Sequence, residues 1–164
     1  MIKQNFLRKL KKEDKLKLVE PSKEIKISYI QKAENCLKSA KILQSNKLYE
    51  NAVSEAYYCM YNSLLALLYN VGIKSENHSA SIILLKKIFK QKELYKIISF
   101  AKTERIDKQY LVESQQTIKI TNKSSEELIA KSEDFLLKIK IIISRFNDDD
   151  INLIRKSFEN ALEQ

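Results

Sequence analysis

Apolar residues recur every three to four positions from Leu48 to Gly72, which is the period of an α-helix. They form two sets on different sides of the helix: Leu48, Ala52, Ala56, Met60, Leu64, Leu67 and Val71, and Val53, Tyr57, Tyr61, Leu65 and Leu68. A helix that is apolar around most of its circumference is normally surrounded by other helices. Gly72 predicts its end, because glycine adopts the left-handed conformation without steric cost. This stretch is therefore predicted to be the central helix of a bundle.

Similar periodicity predicts further helices on both sides of this one, over residues 22–44, 78–89, 92–115, 124–146 and 151–162. Polar connections are expected at residues 45–47, 73–77 and 117–122. Ser22 and Ser124 are the predicted N-caps, and Glu127 would complete a capping box with Ser124. The predicted fold class is all-α: an antiparallel helical bundle of about five helices plus short terminal helices.

The chain divides into three parts, at Pro21 and at the aspartate run 148–150. Residues 1–21 form a basic N-terminal extension, residues 22–147 the bundle, and residues 148–164 a C-terminal helix. In the extension, Ile2, Phe6 and Leu10 share one helical face. Two interpretations stay open: an amphipathic helix that docks on the bundle or on a partner, or a loosely held solvated terminus.

The composition of the 164-residue chain favours long helices, since it contains one glycine and one proline. Its net charge of +9 points to anionic partners such as phosphates, or simply reflects a lysine-rich proteome. Cys36 and Cys59 occupy apolar helical positions and are interpreted as small core residues. The first residues lack the apolar segment of a signal peptide, and no apolar run is long enough to span a bilayer. We therefore expect a cytoplasmic protein that is not bound to a membrane.

His78 is the only histidine of the chain, and a general base, a metal ligand or a pH switch would each be chemically open to it. A metal site is not expected without a second histidine, a nearby cysteine or paired carboxylates. The sequence also has no glycine-rich phosphate loop and no paired acidic motif of the kind that nucleotidyltransferases use for magnesium. We expect no cofactor. His78 either packs at the start of its helix or lines a site.

The segment AVSEAYYCMYNSLLALLYNVGI, residues 52–73, followed by His78, resembles the AYYAMFHAALALL…G…H signature of HEPN domains. These are small helical domains of prokaryotic nucleotide- and RNA-related systems. The chain is most similar to the small stand-alone branch that is often encoded beside a minimal nucleotidyltransferase, and the resemblance covers about residues 33–146. It implies a helical bundle, a homodimer and a nucleotidyltransferase partner.

Two motifs of that family bear on activity. Its ribonuclease members carry an arginine four to six residues before a histidine, and no arginine stands at that spacing before His78. The small branch carries an arginine, a short polar gap and an Asp-Tyr pair, which Arg105 and Tyr110 match. Gln109 stands where the aspartate is expected, and Asp107 lies about 200° away around the helix. The resemblance thus implies a site without the ribonuclease motif.

The candidate nucleotide- or RNA-binding residues are Tyr57, Tyr58, Tyr61, Arg105 and Tyr110. An arginine can bind a phosphate in bidentate fashion, and a tyrosine can stack on a base. The alternative is that the tyrosines belong to the core and that the arginine pairs with a carboxylate of a neighbouring helix. Glu55, which stands where many relatives carry an arginine, places a negative charge beside the predicted groove.

Three hypotheses follow. The first is a non-catalytic HEPN module that binds RNA, a nucleotide or a nucleotidyltransferase in a toxin–antitoxin or defence system. The second is a divergent, metal-independent HEPN ribonuclease toxin with Arg105, Tyr110 and His78 as its candidate catalytic residues. The third is a non-catalytic dimerisation scaffold. The missing arginine-to-histidine spacing favours the first.

Overall fold

The computed structural model describes residues 2–110 and 120–163, with side chains described for residues 5–105 and 120–162. Its helices and strands follow in chain order: α1 (Ile2–Lys12), β1 (Leu16–Leu18), α2 (Lys23–Ser45), α3 (Tyr49–Asn70), β2 (Ile73–Ser75), α4 (His78–Lys87), α5 (Lys92–Tyr110), α6 (Asn122–Arg145) and α7 (Asp148–Glu163). The predicted all-α class is confirmed. Among the helices of these segments, none combines the length and the hydropathy that a membrane crossing needs.

Helix α3 is the centre of the molecule, as its two apolar sets predict. It packs most extensively on α2 and α6 and also contacts α4 and α5. The side chains of Tyr57, Met60 and Leu64 are fully buried. Cys59 of this helix is buried and Cys36 of α2 is half-buried, and both thiols are free, in agreement with their interpretation as packing residues. The remaining helices therefore share one core that is built around α3.

The loop predicted at residues 73–77 is wrong for its first half, because Ile73–Ser75 is strand β2. It pairs in antiparallel fashion with β1, so that Leu18 lies opposite Ile73 and Leu16 opposite Ser75. Leu16 and Ile73 are fully buried, so burial holds the two short strands on the bundle. A three-residue strand has no periodicity of its own, and it forms here only because a partner from the N-terminal segment reaches it.

The N-terminal segment docks on the bundle, which decides between the two interpretations of its pattern. Helix α1 contacts α7. Leu7 and Leu10 are buried, and Phe6 packs partly buried against the same core cluster.

The ends of the helices test the predicted caps. Ser22 caps α2 as predicted, because its hydroxyl accepts a hydrogen bond from the backbone N–H of Ile25 at 3.2 Å. The predicted cap of α6 is wrong: Thr121 is the N-cap, and Ser124 closes the capping box. Helix α7 begins at Asp148, three residues before the predicted start. Helix α5 is described to Tyr110, and residues 111–115 of its predicted range lie outside the described part.

Gly72 ends the α3 region as predicted, with a φ of +70°. Arg155 of α7 anchors this turn: its Nη1 donates to the carbonyl oxygens of Val19, Val71 and Gly72 at 2.8, 3.1 and 3.2 Å. A cation is favourable there, since the carboxyl end of a helix carries partial negative charge. One arginine thus joins α7, the end of α3 and the chain that leaves β1.

Candidate functional site

The tyrosines of α3 differ in their environment. Tyr57 is fully buried and Tyr61 is 7% exposed, whereas Tyr58 is half-buried. The rings of Tyr57 and Tyr61, one helical turn apart, are nearly parallel with centroids 6.1 Å apart. The core interpretation is therefore correct for Tyr57 and nearly so for Tyr61. Tyr58 is only half-buried, so part of its side chain remains accessible.

His78 lies against these rings at the first position of α4. The cap of α4 is Asn77, whose side chain accepts a hydrogen bond from the backbone N–H of Ala80 at 3.0 Å. His78 therefore does not cap the helix. Its imidazole packs on α3, where it stacks on Tyr61 with ring centroids 3.7 Å apart. Its Nδ1 lies 2.7 Å from the hydroxyl oxygen of Tyr57. The fold therefore places the only histidine within the tyrosine cluster.

The protonation states of this pair follow from their environment. Burial lowers the pKa of His78 from its ordinary value of 6.5, and the nearby Arg105 and Lys102 lower it further. Burial also raises the pKa of Tyr57, whose hydroxyl therefore keeps its proton. We assign the proton of the hydrogen bond to the Tyr57 hydroxyl, which donates to Nδ1. The neutral ring then carries its own proton on Nε2, a donor that the cluster itself does not use.

Arg105 of α5 lies against the rings of Tyr57 and Tyr58. Its guanidinium carbon lies 4.7 Å from the ring centroid of Tyr58 and 5.4 Å from that of Tyr57. Both distances lie within the range of cation–π attraction. The Nε atom is buried, and it has no hydrogen-bond partner among the residues that the structure describes. A buried donor without a partner costs free energy, and a ligand that supplies an acceptor would remove this cost.

Lys102 supplies a second cation one turn before Arg105. Its Nζ lies 2.6 Å from the Ser79 hydroxyl, on the first turn of α4. Both cations lie close enough to His78 to lower its pKa. A cleft of about 270 Å³ between α4 and α5 is lined in part by Ser79 and Lys102. The cluster thus combines two positive charges with a neutral imidazole and an aromatic surface.

This arrangement is suited to an anion that carries an aromatic group. A phosphate can accept hydrogen bonds from Arg105 and Lys102, and a base can stack on Tyr58. Glu55 lies beside the Cys36 thiol, whose pKa is raised to about 11, first by burial and then by this carboxylate. In the described segments, no group of three histidine, cysteine or acidic side chains is placed to hold a metal ion.

Comparisons with known proteins agree with the geometry. The family model described as "HEPN domain" matches residues 28–142. The chain is 34% identical over 116 residues to "Putative toxin MJ0605" of Methanocaldococcus jannaschii, covering 68% of this chain and 83% of that protein. It is 32% identical over 116 residues to "Putative toxin MJ0142" of the same organism, covering 68% and 76%. The chain belongs to the HEPN domain family. The resemblance carried by residues 52–73 and His78 is thereby confirmed.

This HEPN domain brings together four of the residues that the sequence singled out: Tyr57, Tyr58, His78 and Arg105. Tyr61 joins them through its stack on His78. The side chain of Tyr110 lies outside the described part of the chain. Lys102 and Ser79 were not predicted. The spacing of Lys102, three residues before Arg105, is the only sequence signal that could have suggested it.

The imidazole of His78 should titrate with a midpoint below 6.5, because burial, Arg105 and Lys102 all disfavour its charged form. Replacing Arg105 by Ala should move the midpoint upward, since it removes one of the two nearby cations. As the sole histidine, His78 gives a single set of ring signals in an NMR titration. Arg145→Ala, at an exposed arginine of α6, is the control that should leave the midpoint unchanged. A wild-type midpoint at or above 6.5 would contradict this description of the site.

The same shift has a consequence for stability. The native state binds fewer protons at His78 than the unfolded chain does between its lowered pKa and 6.5. The contribution of His78 to the free energy of unfolding is therefore fully present above pH 6.5. It is lost as the pH falls from 6.5 through the lowered pKa of the folded state.

Proposed function

We propose that this chain is the HEPN component of a toxin–antitoxin system and that it works by binding RNA or a nucleotide at the cluster of Tyr58, His78, Lys102 and Arg105. The observation that carries the proposal is the placement of Arg105. Its guanidinium lies over Tyr58, and its buried Nε has no partner among the described residues. Such a group is stabilised when a ligand supplies an acceptor.

The chemistry of the neighbours supports a nucleotide-like ligand. Two cations offer charge-assisted hydrogen bonds to a phosphate, and Tyr58 offers a ring on which a base can stack. The net charge of +9 adds a general attraction for polyanions. His78, being neutral, adds a donor without a further charge. An anion alone would not need the aromatic surface, and an apolar ligand would not need the cations.

The biological setting of the proposal comes from the family. Both relatives carry the word toxin in their names, which supports the toxin role. The resemblance to the stand-alone branch supports a nucleotidyltransferase as the partner protein and a homodimer as the assembly. In this setting the partner would control access to the cluster.

A metal-independent ribonuclease is the second candidate, and one observation favours it. The fold brings Arg105 close enough to His78 to lower its pKa, although the two residues stand in the reverse order and far outside the spacing of the ribonuclease motif. A neutral imidazole beside a cation could accept a proton from a ribose hydroxyl. In this arrangement the hydrogen bond from Tyr57 occupies Nδ1 and the proton of the neutral ring is on Nε2. The imidazole could accept a proton only if the Tyr57 bond were released, which favours binding over catalysis.

Incubation with total RNA in the presence of a metal chelator separates the two candidates. We expect purified wild-type protein to retain RNA in a filter-binding or anisotropy measurement and to leave it uncleaved on a sequencing gel. Arg105→Ala should weaken the retention. Cleavage by the wild type that disappears in both Arg105→Ala and His78→Ala would establish the ribonuclease instead. Absence of both binding and cleavage at moderate salt would leave the scaffold role.

A further inference from the structure

A second aromatic pair lies farther along α3, outside the cluster described above. The rings of Tyr69 on α3 and Tyr29 on α2 are stacked, with centroids 5.5 Å apart and planes inclined by 15°. The Nζ of Lys32 lies 4.9 Å from the centroid of the Tyr29 ring. Both tyrosines are half-buried, and Lys32 is exposed. The pair therefore repeats the combination of tyrosine and cation that Tyr58 and Arg105 present.

The two pairs lie on the same side of α3. Eleven residues separate Tyr58 from Tyr69, which corresponds to a rotation of about 20° and a rise of about 16 Å along the helix. Between them on this side, Asn62 is half-buried, and Tyr61 and Leu65 are 7% and 8% exposed, whereas most other core positions of α3 have no exposure. We call this side the tyrosine face, made up of Tyr58, Tyr61, Asn62, Leu65 and Tyr69.

Electrostatic contacts connect the two ends of the tyrosine face. The pKa of Tyr61 is raised by burial, and the neighbouring Tyr29 and Tyr69 raise it further although Ser81 opposes them. Tyr61 in turn stacks on His78, the histidine of the first cluster. Tyr61, which is 7% exposed, therefore lies between the Arg105 end and the Tyr29 end of this row of tyrosines.

Two lysines lie near the Tyr29 end of the tyrosine face, and they differ in whether they form an ion pair. Lys74 of β2 lies near Tyr69 but forms an ion pair with Glu76 at 2.7 Å. Lys32 lies over the Tyr29 ring and forms no ion pair within the segments that the structure describes, so its charge is available to a phosphate.

We infer that the tyrosine face is a track for single-stranded nucleic acid, with one base at Tyr58 and Arg105 and another at Tyr29 and Tyr69. Lys32 contacts the backbone phosphate at the second position. This inference rests on the proposed function and names its ligand as a strand of several nucleotides rather than a mononucleotide. Unpaired bases are required, because a duplex keeps its bases stacked on one another and offers no free face to a tyrosine. Repeated aromatic platforms with cations beside them are the pattern by which proteins bind single strands without sequence preference.

Binding of fluorescein-labelled oligouridylate tests the track. A strand of about ten nucleotides, which is within the usual range for one binding module, is compared with a dinucleotide. Lys32→Ala removes the cation at an exposed position, so it should fold as the wild type does. Tyr29→Leu removes the ring while keeping apolar volume. Lys41→Ala is the matched control, because Lys41 lies on the opposite side of the same helix, where it pairs with Glu133.

We expect the long strand to bind more tightly than the dinucleotide. Tyr29→Leu should weaken the long strand about fivefold or more, as the loss of one stacked base does, and leave the dinucleotide unaffected. Lys32→Ala should lower the slope of log affinity against log salt by about 0.7, and Lys41→Ala should leave it unchanged. The deoxyribose strand of the same length shows whether the track uses the 2′-hydroxyl; tighter binding of either long strand supports the track.

Three results would overturn the inference. If Lys32→Ala and Tyr29→Leu bind the long strand as the wild type does while Arg105→Ala loses it, the track is wrong and the proposed site stands. If the wild type binds neither strand nor dinucleotide, both are wrong. If the face instead captures a protein partner and Lys32→Ala weakens only that complex, the track is wrong as well.

Discussion

Gly72→Ala is expected to lose about 3 kcal/mol or more of the free energy of unfolding. The residue has a φ of +70°, a conformation that costs an L-amino acid about 1–2 kcal/mol. A methyl group there would also collide with the Nη1 of Arg155 and the carbonyl oxygen of Val19, and press on Pro21. Overpacking of this kind typically adds about 1–3 kcal/mol. The collisions involve backbone, so the turn cannot relax by moving a flexible side chain alone.

Urea unfolding followed by circular dichroism measures this loss, and the melting temperature should fall by roughly 6–12 °C. Lys74→Ala is the control, since it lies two residues away in β2 and its side chain is partly exposed. We expect that variant to stay within about 0.5 kcal/mol of the wild type. A Gly72→Ala protein as stable as the control would show that neither the backbone conformation nor the Arg155 anchor is as described.

Arg105→Ala is expected to weaken binding of a single-stranded oligonucleotide about tenfold or more while leaving the melting temperature almost unchanged. The binding loss follows from removing a charge-assisted hydrogen bond to phosphate, about 1.5–3 kcal/mol, together with the cation over Tyr58. Stability should change little because two effects oppose each other. The variant loses the cation–π contacts with Tyr57 and Tyr58, but it also removes a buried donor, the Nε, that has no partner among the described residues. A residue that serves ligand binding rather than folding shows this separation of effects.

Two further variants sharpen the comparison. Arg145→Ala removes the same charge from an exposed position of α6 and should lower affinity only slightly, through net charge. Arg105→Lys keeps the charge but loses the bidentate geometry, so an intermediate affinity is expected. Fluorescence anisotropy and thermal unfolding on the same samples give both quantities. Equal losses of affinity for Arg105→Ala and Arg145→Ala, or a large loss of stability in Arg105→Ala, would contradict a specific role.

The parts of the fold that could be predicted from the sequence are those that local rules determine. The apolar circumference of α3, its end at Gly72 and the Ser22 cap depend on residues within a few positions of one another, and the structure agrees with all three. The cap of α6 was misassigned because Thr121 and Ser124 both carry suitable hydroxyl groups. Only the hydrogen bonds seen in the structure show that Thr121, and not Ser124, is the N-cap.

Features that depend on distant partners could not be predicted. The strands β1 and β2 are three residues each and exist through pairing between segments that lie far apart in the chain. The Arg155 anchor joins α7 to two turns that local patterns treat separately.

The candidate site shows the same division. The tyrosines and Arg105 could be selected because their residue types suit phosphate and base recognition. That Lys102 bonds to Ser79, or that Tyr57 donates to His78, follows from how α3, α4 and α5 pack against one another. Motif spacing was informative about the ribonuclease signature. It could not show that an arginine and a histidine would meet in space in the reverse order.

Photo-crosslinking tests the central claim most directly, namely that nucleic acid binds at the cluster that contains Tyr58 and Arg105. A single-stranded RNA carrying 4-thiouridine is irradiated with the protein, and the modified residue is located by mass spectrometry. We predict a crosslink at Tyr58 that is lost in Arg105→Ala and kept in Arg145→Ala. Crosslinks confined to the surfaces of α6 and α7, and unchanged in Arg105→Ala, would contradict it.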